Sequence, residues 1–150
     1  TRIAQQQNWL TDNPDQGKTT LHAGSGACAE PENPDLAPTL RVLQALAQCH
    51  EQTYGLYAQG LGIPLQGVQV KLQAALDLRG LYAAADRIRA GFSNLQATVE
   101  ISSPADIYEI ERLRVTVERH APVLDIVRNP TPVRVELVLT PSKDAAPISA

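Results

Sequence analysis

The chain has 150 residues, 43% hydrophobic and 19% charged, with a net charge of −3 and a pI near 5.5. A chain of that length buries roughly 70% of its unfolded surface, so it can hold one globular core without disulfide staples. The acidic balance and the lack of any Lys/Arg run argue against nucleic acid, and no apolar run approaches the ~18 residues needed to cross a bilayer.

In chain order, residues 1–29 are polar, with turn signals at Asn13-Pro14 and Asp15-Gln16-Gly17. Short strands are expected on either side of that turn, at Ile3–Leu10 and Lys18–His22. The stretch Glu30–Asp35, with Pro31 and Pro34, reads as a connector. From Asp35 to about Gly60, Leu36, Leu40, Leu43, Leu46, Ala47, His50, Tyr54 and Tyr57 recur at three- and four-residue steps, which predicts a long helix. Asp35 is placed to cap it, Pro38 falls in the first turn, and Gly60, Gly62 and Pro64 stop it. At 1.5 Å per residue it runs about 35 Å and should be central.

Val68, Val70, Leu72, Ala74 and Leu76 alternate with polar neighbours, so Leu65–Leu78 reads as a strand with one solvated face. Gly80–Gly91 reads as a loop with a helical turn at Leu81–Arg87. Phe92–Ile101 alternates again and makes another strand. Ser103-Pro104-Ala105-Asp106 has the form of a helix start, with Ile107, Ile110, Leu113 (or Arg114) and Val117 as the buried face up to about Arg119. Pro122–Arg128 is a short extra turn. Val133, Val135, Leu137 and Leu139 form the apolar half of an expected closing strand. The order β(β)–α–β–β–α–β predicts an α+β protein with one antiparallel sheet. Residues 1–140 read as a single domain and 141–150 as a disordered tail. One chain of this size covers one sheet face better than two, which points to a dimer.

Two cysteines without a C-x-x-C spacing give neither a disulfide framework nor a zinc site, and three scattered histidines make no metal site. With no signal-peptide pattern, this reads as a protein of the reducing cytoplasm. No metal or cofactor is expected. Cys49 shares a helix face with Val42, Leu46 and Thr53 by i, i+4, i+7 spacing. Two readings stand for it. A free Cys there packs as a small hydrophobe; a reactive one needs its thiolate, and hence a cation or donor from elsewhere in the fold. His50 points about 100° away from Cys49 around the helix, to line the same cleft or to face solvent. His120 ends the second long helix, where the dipole favours its protonated form. Cys28 lies in a Gly-rich loop, Gly24-Ser25-Gly26-Ala27-Cys28, and reaches Cys49 only if that loop folds over the helix.

Three stretches resemble the OsmC/Ohr family of osmotically inducible and organic hydroperoxide resistance proteins. They are Pro38-Thr39-Leu40 through Gln48-Cys49, Gly62-Ile63-Pro64-Leu65-Gln66-Gly67-Val68, and Ala121-Pro122-Val123 followed by Arg128-Asn129-Pro130-Thr131-Pro132-Val133. The resemblance runs from about Glu30 to Val138. It implies an OsmC-like fold, an antiparallel sheet wrapped around two long central helices in an intertwined homodimer, with active sites at the subunit interface. It also implies a thiol peroxidase that reduces organic hydroperoxides through a peroxidatic Cys on the first long helix. A resolving Cys, an Arg and a Glu assist that thiol in the family. Cys49 matches the peroxidatic position. The Glu position is Thr39, the resolving position is Ala121 after His120, and Arg2 is the basic residue early enough to stand for the Arg. Two functions therefore compete. One is a hydroperoxide reductase drawing on an external thiol donor or on Cys28. The other is a non-catalytic dimer that binds an apolar ligand or is structural.

Overall fold

The computed structural model describes residues 1–26 and 28–142. The chain opens with α1 (Arg2–Asp12) and a 3-10 turn at Pro14–Gly17, then β1 (Lys18–Gly24). After a second 3-10 turn at Pro34–Leu36 comes α2 (Ala37–Leu61), followed by β2 (Gly67–Asp77), the single turn α3 (Leu78–Leu81) and β3 (Phe92–Ser102). Helices α4 (Ile107–His120) and α5 (Pro122–Arg128) complete the described secondary structure.

The three strands form one antiparallel sheet in the order β1-β2-β3. Lys18 faces Asp77 across β1 and β2, and Gly67 faces Ser102 across β2 and β3. A register shift sits at Ala75/Leu76. The alternation expected for β2 holds: Val70, Leu72, Ala74 and Leu76 are all buried. The opposite face is wet and carries the Lys71–Glu100 ion pair.

Helix α2 crosses the buried face because its apolar residues recur at helical spacing. Leu40, Leu43, Leu46, Ala47, Tyr54 and Ala58 are buried, and each buried Leu contributes roughly 1.5–3 kcal/mol of transfer free energy. Gly62 ends the helix at φ 69°, a left-handed conformation that glycine adopts without a Cβ clash. Helix α2 packs on β1 and β2, while α4 and α5 pack on α2. The inner face of β3 is therefore the least covered part of the sheet: Leu95 and Val99 are half-buried and Ala97 is exposed.

Several expectations are corrected. Ile3–Leu10 is not a strand but the middle of α1. Its Gln-rich sequence suits a helix, and Thr1 caps it by accepting from the Ala4 N–H at 3.4 Å. Only Leu10 of this helix is buried. Asp35 does not cap α2. Asn33 accepts from its backbone N–H, and its carboxylate accepts instead from the Tyr82 hydroxyl at 2.6 Å and pairs with Arg2 at 3.1 Å.

Nor does Ser103 cap α4. That role belongs to Asp106, which accepts from the Glu109 N–H while the Glu109 carboxylate accepts from the Asp106 N–H. Ser103 instead ties the turn to the Pro64 carbonyl. Ile107 is exposed, and Leu113 and Val117 carry the contact with α2. The helical turn expected at Leu81–Arg87 lies earlier, at α3. Within the described residues there is no closing strand. Val133, Val135, Leu137 and Leu139 are 80–93% exposed and pair with neither free edge of the sheet, β1 nor β3. Of the expected tail at 141–150, residues 143–150 lie outside the described residues. Helix α4 spans 14 residues against 25 for α2, so α2 is the long helix of the single chain.

Candidate functional site

Cys49 sits at mid-length in α2, at the border between its buried and open faces. Leu46 and Thr53 on one side of it are buried, whereas Val42 is 54% and Leu56 65% exposed, one helical repeat before and after it. The thiol is thus partly exposed within an open apolar stripe. The Thr53 hydroxyl donates to the Cys49 carbonyl at 2.6 Å, not to its sulfur. Among the described residues, no hydrogen-bond donor or cation engages the Cys49 Sγ.

The expected helpers lie elsewhere. Arg2 is held by Asp35 at the start of α2. Thr39 is half-buried in the first turn and makes no side-chain hydrogen bond. Ala121, at the junction of α4 and α5, is 1% exposed and packs in the core. His120 is exposed and lies 5.7 Å from the Tyr57 ring, centre to centre. Cys28 and Cys49 are both free thiols. The Cys28 thiol donates to the His22 carbonyl at 3.2 Å, and its loop leans on α2 through Gln48, whose amide donates to the Ser25 carbonyl. The sequence thus brings Cys28 to the same side of the molecule as α2 without joining the sulfurs.

One residue further along, His50 meets different surroundings. It is 4% exposed, and neither ring nitrogen has a hydrogen-bond partner. Its ring stacks on Tyr54 with centroids 5.5 Å apart. Burial lowers its pKa below the ordinary value; nearby Glu118 opposes this and Arg128 adds to it. Burial also pushes the Tyr54 hydroxyl up to about 12, with Glu118 reinforcing the shift. Both rings border a pocket of about 420 Å³ over the inner face of β3, closed by Arg114 and Glu118 of α4 and by Leu124 and Arg128 of α5. Arg114 forms ion pairs with Glu111 and Glu118. The periodicity of α2 put His50 on the buried face. The pocket needed the α4 spacing of Arg114 and Glu118 to be joined with α5, and no sequence spacing links those elements.

A second pocket of about 470 Å³ gathers Lys18, Arg79, Arg87 and Arg89 around Asp77. These cations are scattered in sequence and become a cluster only through the β1–β2 pairing and the α3 turn. The Arg79 guanidinium binds Asp77 through both carboxylate oxygens and holds that carboxyl below its usual range. Gly80 lets the Arg89 backbone come close, since a Cβ there would collide with the Arg89 carbonyl.

No group of three His, Cys, Asp or Glu side chains is arranged to hold a metal among the described residues. No helix there is long and apolar enough to cross a membrane. A three-stranded antiparallel sheet crossed by one long helix that carries a mid-length cysteine defines an α+β protein of the OsmC kind. Residues 31–136 match the family described as OsmC-like protein, and the chain belongs to that family. It shares the fold of the crystal structure of an OsmC-like protein from Mycoplasma pneumoniae, with a TM-score of 0.56 at 19% identity. That likeness covers 63% of this chain and 63% of the solved one. No curated protein matches by sequence.

Proposed function

We propose that this OsmC-family chain is a thiol-dependent organic hydroperoxide reductase acting through Cys49 as a homodimer. The observation that carries the reading is the place of Cys49: partly exposed, in the middle of the apolar stripe Val42–Leu56. An apolar hydroperoxide has a surface to lie on beside the sulfur. In the first step the Cys49 thiolate attacks the distal peroxide oxygen. The O–O bond breaks, the sulfur becomes a sulfenic acid and the organic product leaves as an alcohol. Two equivalents of an external thiol then return the sulfenic acid to the thiol, releasing a disulfide and water. An external donor fits better than Cys28, whose thiol is held on the His22 carbonyl.

The homodimer reading rests on exposed apolar surface. Val42 and Leu56 on α2, Ile126 and Val127 on α5, and the apolar side chains of Val133–Leu139 are exposed, and exposed apolar surface can mark a protein–protein contact. A second copy covers that surface and brings walls to the thiol. A reducing cytoplasmic setting suits two free cysteines and an external thiol donor.

The competing reading is a non-catalytic dimer that binds an apolar ligand. It is favoured by Arg2 being held on Asp35 and by Thr39 and Ala121 standing where Glu and Cys assist in the family. The test is consumption of cumene hydroperoxide by the purified protein with dithiothreitol. The reductase reading expects turnover that Cys49→Ser removes. Absence of turnover with any thiol donor would leave the binding reading.

A further inference from the structure

His50 and its pocket take no part in the thiol chemistry, since the imidazole projects about 100° away from Cys49 around the helix. Buried polar side chains in native proteins are nearly always hydrogen-bonded. His50 is 4% exposed and lines this pocket, and both of its ring nitrogens are buried without a partner. Stacking on Tyr54 holds the ring in place, so the nitrogens cannot simply swing out to solvent.

The walls specify the chemistry of a guest. Leu95, Ala97 and Val99 of β3, with Leu124 and Val127 of α5, give an apolar bed. The charged lining is Arg114, Glu118 and Arg128. Arg114 is engaged by both Glu111 and Glu118. Arg128 is held more loosely: its Nη2 lies 3.7 Å from the Glu118 carboxylate, and its Nη1 reaches the Glu118 carbonyl at 3.5 Å. Its guanidinium is the less tightly held cation of the pocket. A volume of about 420 Å³ falls in the range of small-molecule sites, ~300–1,000 Å³.

We propose that this pocket binds a compact apolar carboxylate, its apolar body on β3 and its carboxylate accepting from Arg128 and from the His50 ring N–H. A neutral alcohol of the same shape lacks the charge that pairs with Arg128. The site is separate from the thiol and lies within one chain, so it stands whether or not Cys49 is catalytic.

The experiment titrates the full chain with 2-naphthoate, with 2-naphthalenemethanol as the neutral control, by calorimetry and by NMR of the His ring protons. Saturable 2-naphthoate binding that shifts the His50 resonances is expected, with the alcohol at least about tenfold weaker. Arg128→Gln, at the exposed end of α5, and His50→Phe should each weaken binding about tenfold, and Cys49→Ser should leave it unchanged. No saturable binding would mean that water alone satisfies His50, and the proposal fails. Equal binding of the alcohol, or an Arg128→Gln variant with undiminished affinity, also overturns it. Loss of binding in Cys49→Ser would place the ligand at the thiol instead.

Discussion

Cys49 and His50 are neighbours in sequence and live in opposite surroundings. Cys49 is partly exposed on an apolar stripe, with nothing polar engaging its sulfur among the described residues. His50 is buried beside Tyr54, with two unpartnered nitrogens and three charged side chains lining its pocket. A 100° turn of the helix separates a thiol with no helpers from an imidazole with too few partners. The difference shows why a family motif and a built chemical site need not coincide. The motif marks position 49, whereas the polar groups that the fold has gathered converge on position 50.

The comparison can be broken first at the level of packing. Leu43 is fully buried and Val42 is 54% exposed, although they are adjacent on α2. Leu43→Ala should cost about 2–5 kcal/mol by the usual scale for buried leucines, read by guanidinium unfolding. Val42→Ala should change the stability of the monomer by no more than about 0.5 kcal/mol. Similar costs at both sites would mean that the stripe around Cys49 is covered within one chain.

The proposed dimer comes next. Removing residues 133–150 should leave the unfolding of the monomer nearly unchanged, because the apolar side chains Val133, Val135, Leu137, Val138 and Leu139 are 80–93% exposed. It should also raise the dimer dissociation constant roughly a hundredfold, about 2.7 kcal/mol, measured by analytical ultracentrifugation. An unaltered dimer constant would remove this segment from the interface.

A smaller effect lies in pH. Folded His50 titrates below the ordinary imidazole value because burial penalises its charged form. The groups facing it are Glu118, which opposes the shift, Arg128, which adds to it, and the neighbouring Arg114 and Tyr54. Between the folded and unfolded pKa values the unfolded chain binds more protons, so stability falls as pH drops below about 6.5. It levels off again below the folded value. His50→Phe should remove that part of the slope, as seen by thermal unfolding across pH 5–8. If the slope is unchanged, burial of His50 is not its source. The smallest effect is expected at the wet face of the sheet, where Lys71→Ala breaks an exposed ion pair worth about 0.2–1 kcal/mol.

Elements with strong periodicity and internal stop signals were legible in the sequence. Helix α2 and strands β2 and β3 follow directly from apolar residues at spacings of 3.6 and 2, and Gly62 ends α2 by its left-handed φ. Helix α1 was not legible as a helix, because its one buried residue, Leu10, imposes no period. The apolar alternation from Val133 to Leu139 is real, but alternation marks only a potential strand, and among the described residues that segment pairs with neither free sheet edge, β1 nor β3. At the site, the position of Cys49 on α2 was readable. Its neighbours were not, because they depend on where Arg2 finds a carboxylate and on how α4 and α5 close over β3. Asp35 wins Arg2 through a contact between the two ends of the N-terminal region that no local spacing encodes. The basic pocket around Asp77 was invisible for the same reason: strand pairing assembles it.

The central claim is that Cys49 carries the redox chemistry while His50 serves a separate site. It is tested most directly by hydroperoxide consumption with dithiothreitol, comparing the wild-type chain, Cys49→Ser and His50→Phe under identical conditions. The expected result is turnover by wild type and by His50→Phe, and none by Cys49→Ser. Turnover that survives in Cys49→Ser, or that vanishes in a folded His50→Phe protein, would contradict it.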